Sequence, residues 1–135
     1  MRKEPEQRLI ERWPTWFNIK GDFRYTGMTL GFTHDDGWFE IIWRLCADLE
    51  PLVAELEQAT GLKFEILQVK EKLGGLRVHT NQANDAIRQR LEAATEESFH
   101  TCEVCGQPGL LREGRCIKTL CDEHNASECG ASNHG

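Results

Sequence analysis

Nothing in this sequence approaches the ~20 consecutive apolar residues that a membrane-spanning helix requires. The opening Met-Arg-Lys-Glu-Pro-Glu-Gln also lacks the apolar centre of a signal peptide. The expectation is a chain that stays in a reducing cytoplasm, where its six cysteines serve as ligands and thiols rather than disulfides. An excess of basic charge is missing too. The formal net charge is −6, which disfavours non-specific nucleic-acid binding, because that rests on Lys and Arg neutralising phosphates. The charge is uneven: residues 34–60 carry seven acidic side chains against one basic. What is present, 39% hydrophobic and 28% charged residues in a chain of 135, suits one ordinary domain or a small domain with a metal-stapled appendage.

One stretch names its own chemistry. Cys102-Glu-Val-Cys105-Gly106 is followed by Cys121-Asp-Glu-His124. Two pairs of Cys or His, joined by a loop, offer the four soft or borderline donors that tetrahedral zinc takes. Gly106 allows the chain to reverse after the second cysteine, so that backbone N–H groups face the thiolates. Cys116 and Cys129 are alternatives to His124 as fourth ligand, but their positions favour free thiols. Cys46, beside an apolar stripe, reads as a buried small hydrophobe. Four protein ligands leave no open position for water, which points to one structural zinc ion rather than a catalytic one.

The rest of the chain reads as helices and a hairpin. A short helix over Pro5 to Trp13, ended by Pro14, leads into Trp13, Trp16 and Phe17, which are expected to plug a core edge or to form a partner-binding patch. Gly21 to Phe32 reads as an ordered loop or short extended segment. Asp35 or Asp36 is expected to cap a long helix, and His34-Asp35-Asp36 reads as a capping loop more readily than as an acid–base pair. In that helix Trp38, Ile41, Ile42, Leu45, Leu49, Leu52, Val53 and Leu56 form one stripe, with Phe39 and Trp43 as a second ridge. A kink, or two abutting helices, is expected at Pro51. Asp48, Glu50, Glu55 and Glu57 make an acidic outer ridge. Beyond Gly61, Phe64-Glu-Ile66 and Leu67-Gln-Val69 suit a strand that changes face at a bulge. Gly74-Gly75 is expected to turn it into a hairpin with Leu76-Arg-Val78-His-Thr80. Asn84 or Asp85 caps a second helix that runs to about Phe99, with Ile87, Leu91 and Ala94 inward.

Between the ligand pairs, Leu110 to Leu120 suits a small hairpin turning at Glu113-Gly114, with Cys121 at the start of a short final helix. That order of elements, with its ligand pairs, resembles the treble-clef zinc fingers. Treble clefs also occur in nucleases of the His-Asn-His kind, but no His lies between Cys105 and Cys121 here. The fold class expected is α+β: a long central helix packed on a small antiparallel hairpin and a second helix, with a C-terminal treble-clef-like zinc finger. The division expected is a core over residues 1–100, a zinc module over 101–127 and a flexible tail over 128–135.

Asp36-Gly-Trp38-Phe-Glu-Ile, Gln68-Val-Lys-Glu-Lys72-Leu-Gly-Gly75-Leu-Arg77 and Thr101-Cys-Glu-Val-Cys105-Gly with Thr119-Leu-Cys-Asp-Glu-His124 together resemble a family of small phage, prophage and bacterial proteins. The similarity spans roughly Met28 to His124. It implies a phage or mobile-element setting and no particular reaction; phage proteins of this size often act by binding and inhibiting a host component. The function expected is therefore a non-enzymatic, zinc-stabilised protein that docks on a protein partner. Its candidate contacts are the acidic side chains Asp48, Glu55 and Glu57, which mimic nucleic acid, or the aromatic cluster Trp13, Trp16 and Phe17. The alternative is a nucleic-acid-binding finger using Lys70, Lys72, Arg77, Arg112, Arg115 and Lys118; a metal-dependent hydrolase or nuclease is a third.

Overall fold

The computed structural model describes residues 3–17, 37–113 and 117–127. His34, Asp35, Asp36, Arg115, Cys116, Cys129, the segment Gly21 to Phe32, the Gly114 side of the expected 113–114 turn and the tail from 128 lie outside them. The architecture is α+β. Helix α1 (Lys3–Arg12) and helix α2 (Phe39–Thr60) precede a hairpin of β1 (Ile66–Lys72) and β2 (Gly75–Thr80). Helix α3 (Asp85–Ser98), a second small hairpin of β3 (Leu110–Arg112) and β4 (Lys118–Leu120), and helix α4 (Asp122–Ser127) follow. No described helix is long and apolar enough to cross a membrane.

The core forms around α2. Its apolar stripe buries Ile41, Ile42, Leu45, Leu49, Val53 and Leu56, with Leu52 half-buried beside them. At ~1.5–3 kcal/mol for each large side chain removed from water, this one face supplies much of the driving force for folding. The helix begins after Trp38, which has no side-chain cap bond, rather than at an aspartate cap. Gly37, bonded through its N–H to Glu103 O at 3.0 Å, fixes the chain direction there. The helix also runs unbroken through Pro51 rather than as two abutting helices. Pro51 and Ala47, whose carbonyl loses its intrahelical donor, are both exposed, so water can satisfy the orphaned acceptor. Gly61 ends the helix in the left-handed conformation, φ 73°.

Trp13, Trp16 and Phe17 are buried, at 4, 7 and 1% exposure, which corrects the partner-patch alternative. Trp13 stacks on Trp16 at 6.0 Å and meets Trp43 edge-on at 4.9 Å, while Trp16 meets Phe64 at 5.2 Å. Trp16 O also accepts the Ile66 N–H at 2.8 Å, so the cluster ties α1 to α2 and to the start of β1. Three of the four side chains of the acidic ridge are partnered within the fold. Glu50 accepts the Trp13 indole N–H at 2.7 Å and pairs with Arg12. Glu57 accepts the Phe64 N–H at 2.7 Å, and Asp48 pairs with Arg90 of α3 at 2.8 Å. Glu55 stays exposed. A continuous nucleic-acid-like row of free carboxylates is not what this face presents.

In the main hairpin the register shifts between Ile66 and Gln68, so the bulge falls where the sequence changes face. The two-residue loop is Leu73-Gly74, not Gly74-Gly75: Lys72 pairs with Gly75, and both loop residues have positive φ, 54° and 83°. Packing decides that one-residue difference. A Cβ on Gly75 would lie 2.5 Å from Phe99 Cζ, so the position that the Phe99 ring covers must be glycine and must sit in the strand. Helix α3 is capped by Asn84, whose side chain accepts the Ile87 N–H at 2.9 Å. Its Thr95 and Ser98 hydroxyls hold Leu76 O and Leu76 N–H, at 2.8 and 2.9 Å.

A candidate metal centre

The C-terminus of α3 feeds directly into the first pair of ligands. Cys102 N–H bonds Gln107 O at 2.7 Å and Gly106 N–H bonds Cys102 O at 2.9 Å. Gly106 takes φ 83°, a value that an L side chain resists and glycine accepts. This closes a tight knuckle that turns the Gln107 N–H toward the Cys105 sulfur. The second pair sits at the start of α4: Cys121 immediately precedes it, and Cys121 O accepts the Asn125 N–H at 2.8 Å. The His124 N–H points at the Cys121 sulfur. The sequence expectation for Gly106 and for the helix start therefore holds in the structure.

The ligand atoms of Cys102, Cys105, Cys121 and His124 all lie within 4.8 Å of one another. Cys102 Sγ is 3.6 Å from His124 Nδ1, Cys121 Sγ is 3.2 Å from the same nitrogen, and Cys105 Sγ is 3.9 Å from Cys121 Sγ. A tetrahedral ion with sulfur bonds of about 2.3 Å and a nitrogen bond of about 2.0–2.1 Å needs S···S near ~3.8 Å and S···N near ~3.6 Å. The four side chains thus enclose a space of the right size. No carboxylate or further His joins them among the described residues.

The electrostatics point the same way. Cys105 is pushed up to about 11 by loss of surrounding water and by the crowding sulfurs of Cys102 and Cys121. The Gln107 N–H works against that shift. Cys121 is drawn down to about 7, first by the His124 N–H. Three sulfurs this close cannot all carry negative charge unaided; a cation among them removes that conflict. Cys102 is fully buried and Cys105 exposed, so the centre lies at the surface with one wall against the core.

Three hydrogen bonds from elements distant in sequence help to seat this module on the core. Besides Gly37 on Glu103 O, the Trp38 indole N–H donates to Thr101 O at 2.9 Å, and the Thr119 hydroxyl donates to Gly74 O at 2.6 Å. Glu103, inside the first ligand pair, is buried, and burial raises its pKa against the pull of Lys118. It accepts the Thr119 N–H at 3.2 Å and pairs with Lys118 at 3.3 Å. Neither Glu103 nor Thr119 stands out in the sequence, since a charged residue between two cysteines carries no periodic signal. Arg112 donates to Leu120 O and pairs with Asp122 at 2.8 Å. Arg112 and Lys118 therefore act inside the module and do not form the basic finger surface expected of them. Lys70 and Arg77 are cross-strand partners and Lys72 follows two residues after Lys70, which puts these three on one hairpin face. His100 is exposed, 3.4 Å from Glu96, and stands outside the ligand cluster. Comparison with protein-family models, curated proteins and solved structures finds no match to this chain.

Proposed function

We propose that the chain is a zinc-stapled, non-enzymatic binding protein whose C-terminal module, treble-clef-like in its order of knuckle, hairpin and helix, presents a surface to a protein partner. The observation that carries this is the closed donor set: Cys102, Cys105, Cys121 and His124 converge without a carboxylate among them. Three thiolates and an imidazole select zinc over magnesium or calcium, which take oxygen donors. Four protein ligands fill the tetrahedron, so the ion folds the module rather than activating water. The stretch from 101 to 127 has little apolar surface of its own, and metal binding there is folding free energy.

A protein partner is supported by where apolar side chains reach solvent. Of the five exposed large hydrophobics among the described residues, Leu73, Leu110, Leu111 and Ile117 lie on this module or on the hairpin tip that touches it, and exposed apolar side chains of this kind are what a contact surface offers. The resemblance to phage and prophage proteins supports a host component as the target. Chelating the zinc, or Cys105→Ala, is expected to open residues 102–124 to protease while the core resists; unchanged resistance of that segment refutes the staple. Affinity capture with wild type and with Leu110→Ser/Leu111→Ser is expected to lose its partner in the variant, and identical captures refute the surface. A nucleic-acid-binding role retains one supporting observation, the shared face of Lys70, Lys72 and Arg77. It predicts affinity for DNA or RNA that falls steeply with salt.

A further inference from the structure

The three sulfurs of the cluster are not equally reachable. Cys102 is fully buried, with its N–H held by Gln107 O, whereas Cys105 is exposed and Cys121 half-buried. A groove of about 210 Å³, lined by Pro108, Leu110, Arg112 and Asp122, also borders Cys121. The two accessible sulfurs are neighbours: Cys105 Sγ lies 3.9 Å from Cys121 Sγ. They come from opposite halves of the module, the knuckle and the residue before α4. The β3–β4 hairpin, with exposed Leu110, Leu111 and Ile117, lies in the chain between them. A bond joining these two sulfurs would therefore close the same loop that the ion closes.

Zinc ligation keeps a cysteine as its thiolate, the form that attacks a peroxide. A small hydroperoxide meets the exposed Cys105 first. The sulfur takes the distal OH as the O–O bond breaks, which makes a sulfenic acid, and the oxygen that leaves takes a proton from solvent. The Cys121 thiolate then attacks the Cys105 sulfur. The S–S bond forms, the S–O bond breaks, and the departing hydroxide takes a proton and leaves as water. Two thiolates lose the two electrons that the hydroperoxide gains. The sulfurs need approach by only ~2 Å to reach a bond of about 2.05 Å. Cys102 and His124 then remain as ligands, too few to hold a tetrahedral ion.

We propose that a hydroperoxide converts Cys105 and Cys121 into a reversible disulfide, which expels the zinc and takes over as the staple of the module. The proposal rests on the zinc-staple reading and adds a second, oxidised state that keeps the hairpin surface closed. The test treats the zinc-loaded full chain with stepwise hydrogen peroxide. Released zinc is read with a chromophoric dye, and disulfides are mapped by peptide mass spectrometry after alkylation of free thiols. One zinc ion is expected for each Cys105–Cys121 disulfide, with Cys46 and Cys102 recovered as thiols and full reversal by dithiothreitol and added zinc. Segment 102–124 of the oxidised chain should resist protease about tenfold longer than in the reduced, chelated chain. Cys116→Ser/Cys129→Ser should give the same linkage. A dominant disulfide through Cys102, Cys116 or Cys129, or irreversible oxidation of Cys105 without a cross-link, overturns the proposal. So does an oxidised segment as protease-sensitive as the chelated one. Zinc content before peroxide tests the staple and the linkage mapped afterwards tests the exchange, so failure of one is told from failure of the other.

Discussion

Replacing Thr119 by valine keeps the shape of the side chain and deletes only its hydroxyl. That hydroxyl, fully buried, donates to Gly74 O at 2.6 Å and so joins the metal module to the tip of the main hairpin. Gly74 is buried too, so its carbonyl would be left without a donor and without water. Stranding a buried acceptor costs about 1–3 kcal/mol, which for a chain of this size lowers Tm by roughly 4–12 °C. The expectation has a second half. If the ion holds the module in place, chelation frees residues 102–124 from the hairpin and the hydroxyl has nothing left to contribute. Urea denaturation followed by tryptophan fluorescence reports the core, since Trp13, Trp16 and Trp38 are all buried in it. The cost of Thr119→Val should appear in the metal-loaded protein and fall below ~0.5 kcal/mol in the stripped one. An equal cost in both states would mean that the module stays docked without its ion, and no cost in either would mean that the bond to Gly74 contributes nothing.

Other changes test other parts of the fold. Leu73 takes φ 54° while exposed, a strained backbone with little packing in return; Leu73→Asn should raise stability by about 0.5–1 kcal/mol in chemical denaturation. Gly75→Ala places a methyl 2.5 Å from Phe99 Cζ, and the overpacking should cost about 1–3 kcal/mol, partly recovered by Phe99→Leu. Cys46 is fully buried and burial pushes its thiol up from the ordinary 9.0. The native chain keeps that proton while the unfolded chain releases it, so this thiol's stabilisation is complete below about pH 9 and lost as pH rises above it. Its share of the loss is ~1.4 kcal/mol per pH unit, and Cys46→Ala should flatten the alkaline limb of stability measured against pH.

What the sequence made legible is what repeats or has fixed spacing. The stripe of α2 holds its 3.6-residue phase over five turns and survives even Pro51, because both groups disturbed by the proline face water. The bulge at Leu67 shows as a change of face in the alternation. The ligand pairs show because two residues between donors is what a knuckle or a helix start can span. Charges were not legible in this way. Trp13 with Glu50, Arg90 with Asp48 and Lys118 with Glu103 are separated by 37, 42 and 15 residues, and no local pattern states which carboxylate will be taken into the fold. The hairpin loop lies one residue before the glycine pair for a similar reason. Either glycine of the pair suits a turn, and only the Phe99 ring, arriving from the end of α3, decides between them.

Metal content bears most directly on the central claim. The chain purified without chelator is expected to carry one zinc ion, by native mass spectrometry, and to lose it on any single replacement of Cys102, Cys105, Cys121 or His124. A metal-free chain whose segment 102–124 is nonetheless ordered, or full zinc retained by His124→Ala, would contradict the closed four-ligand staple.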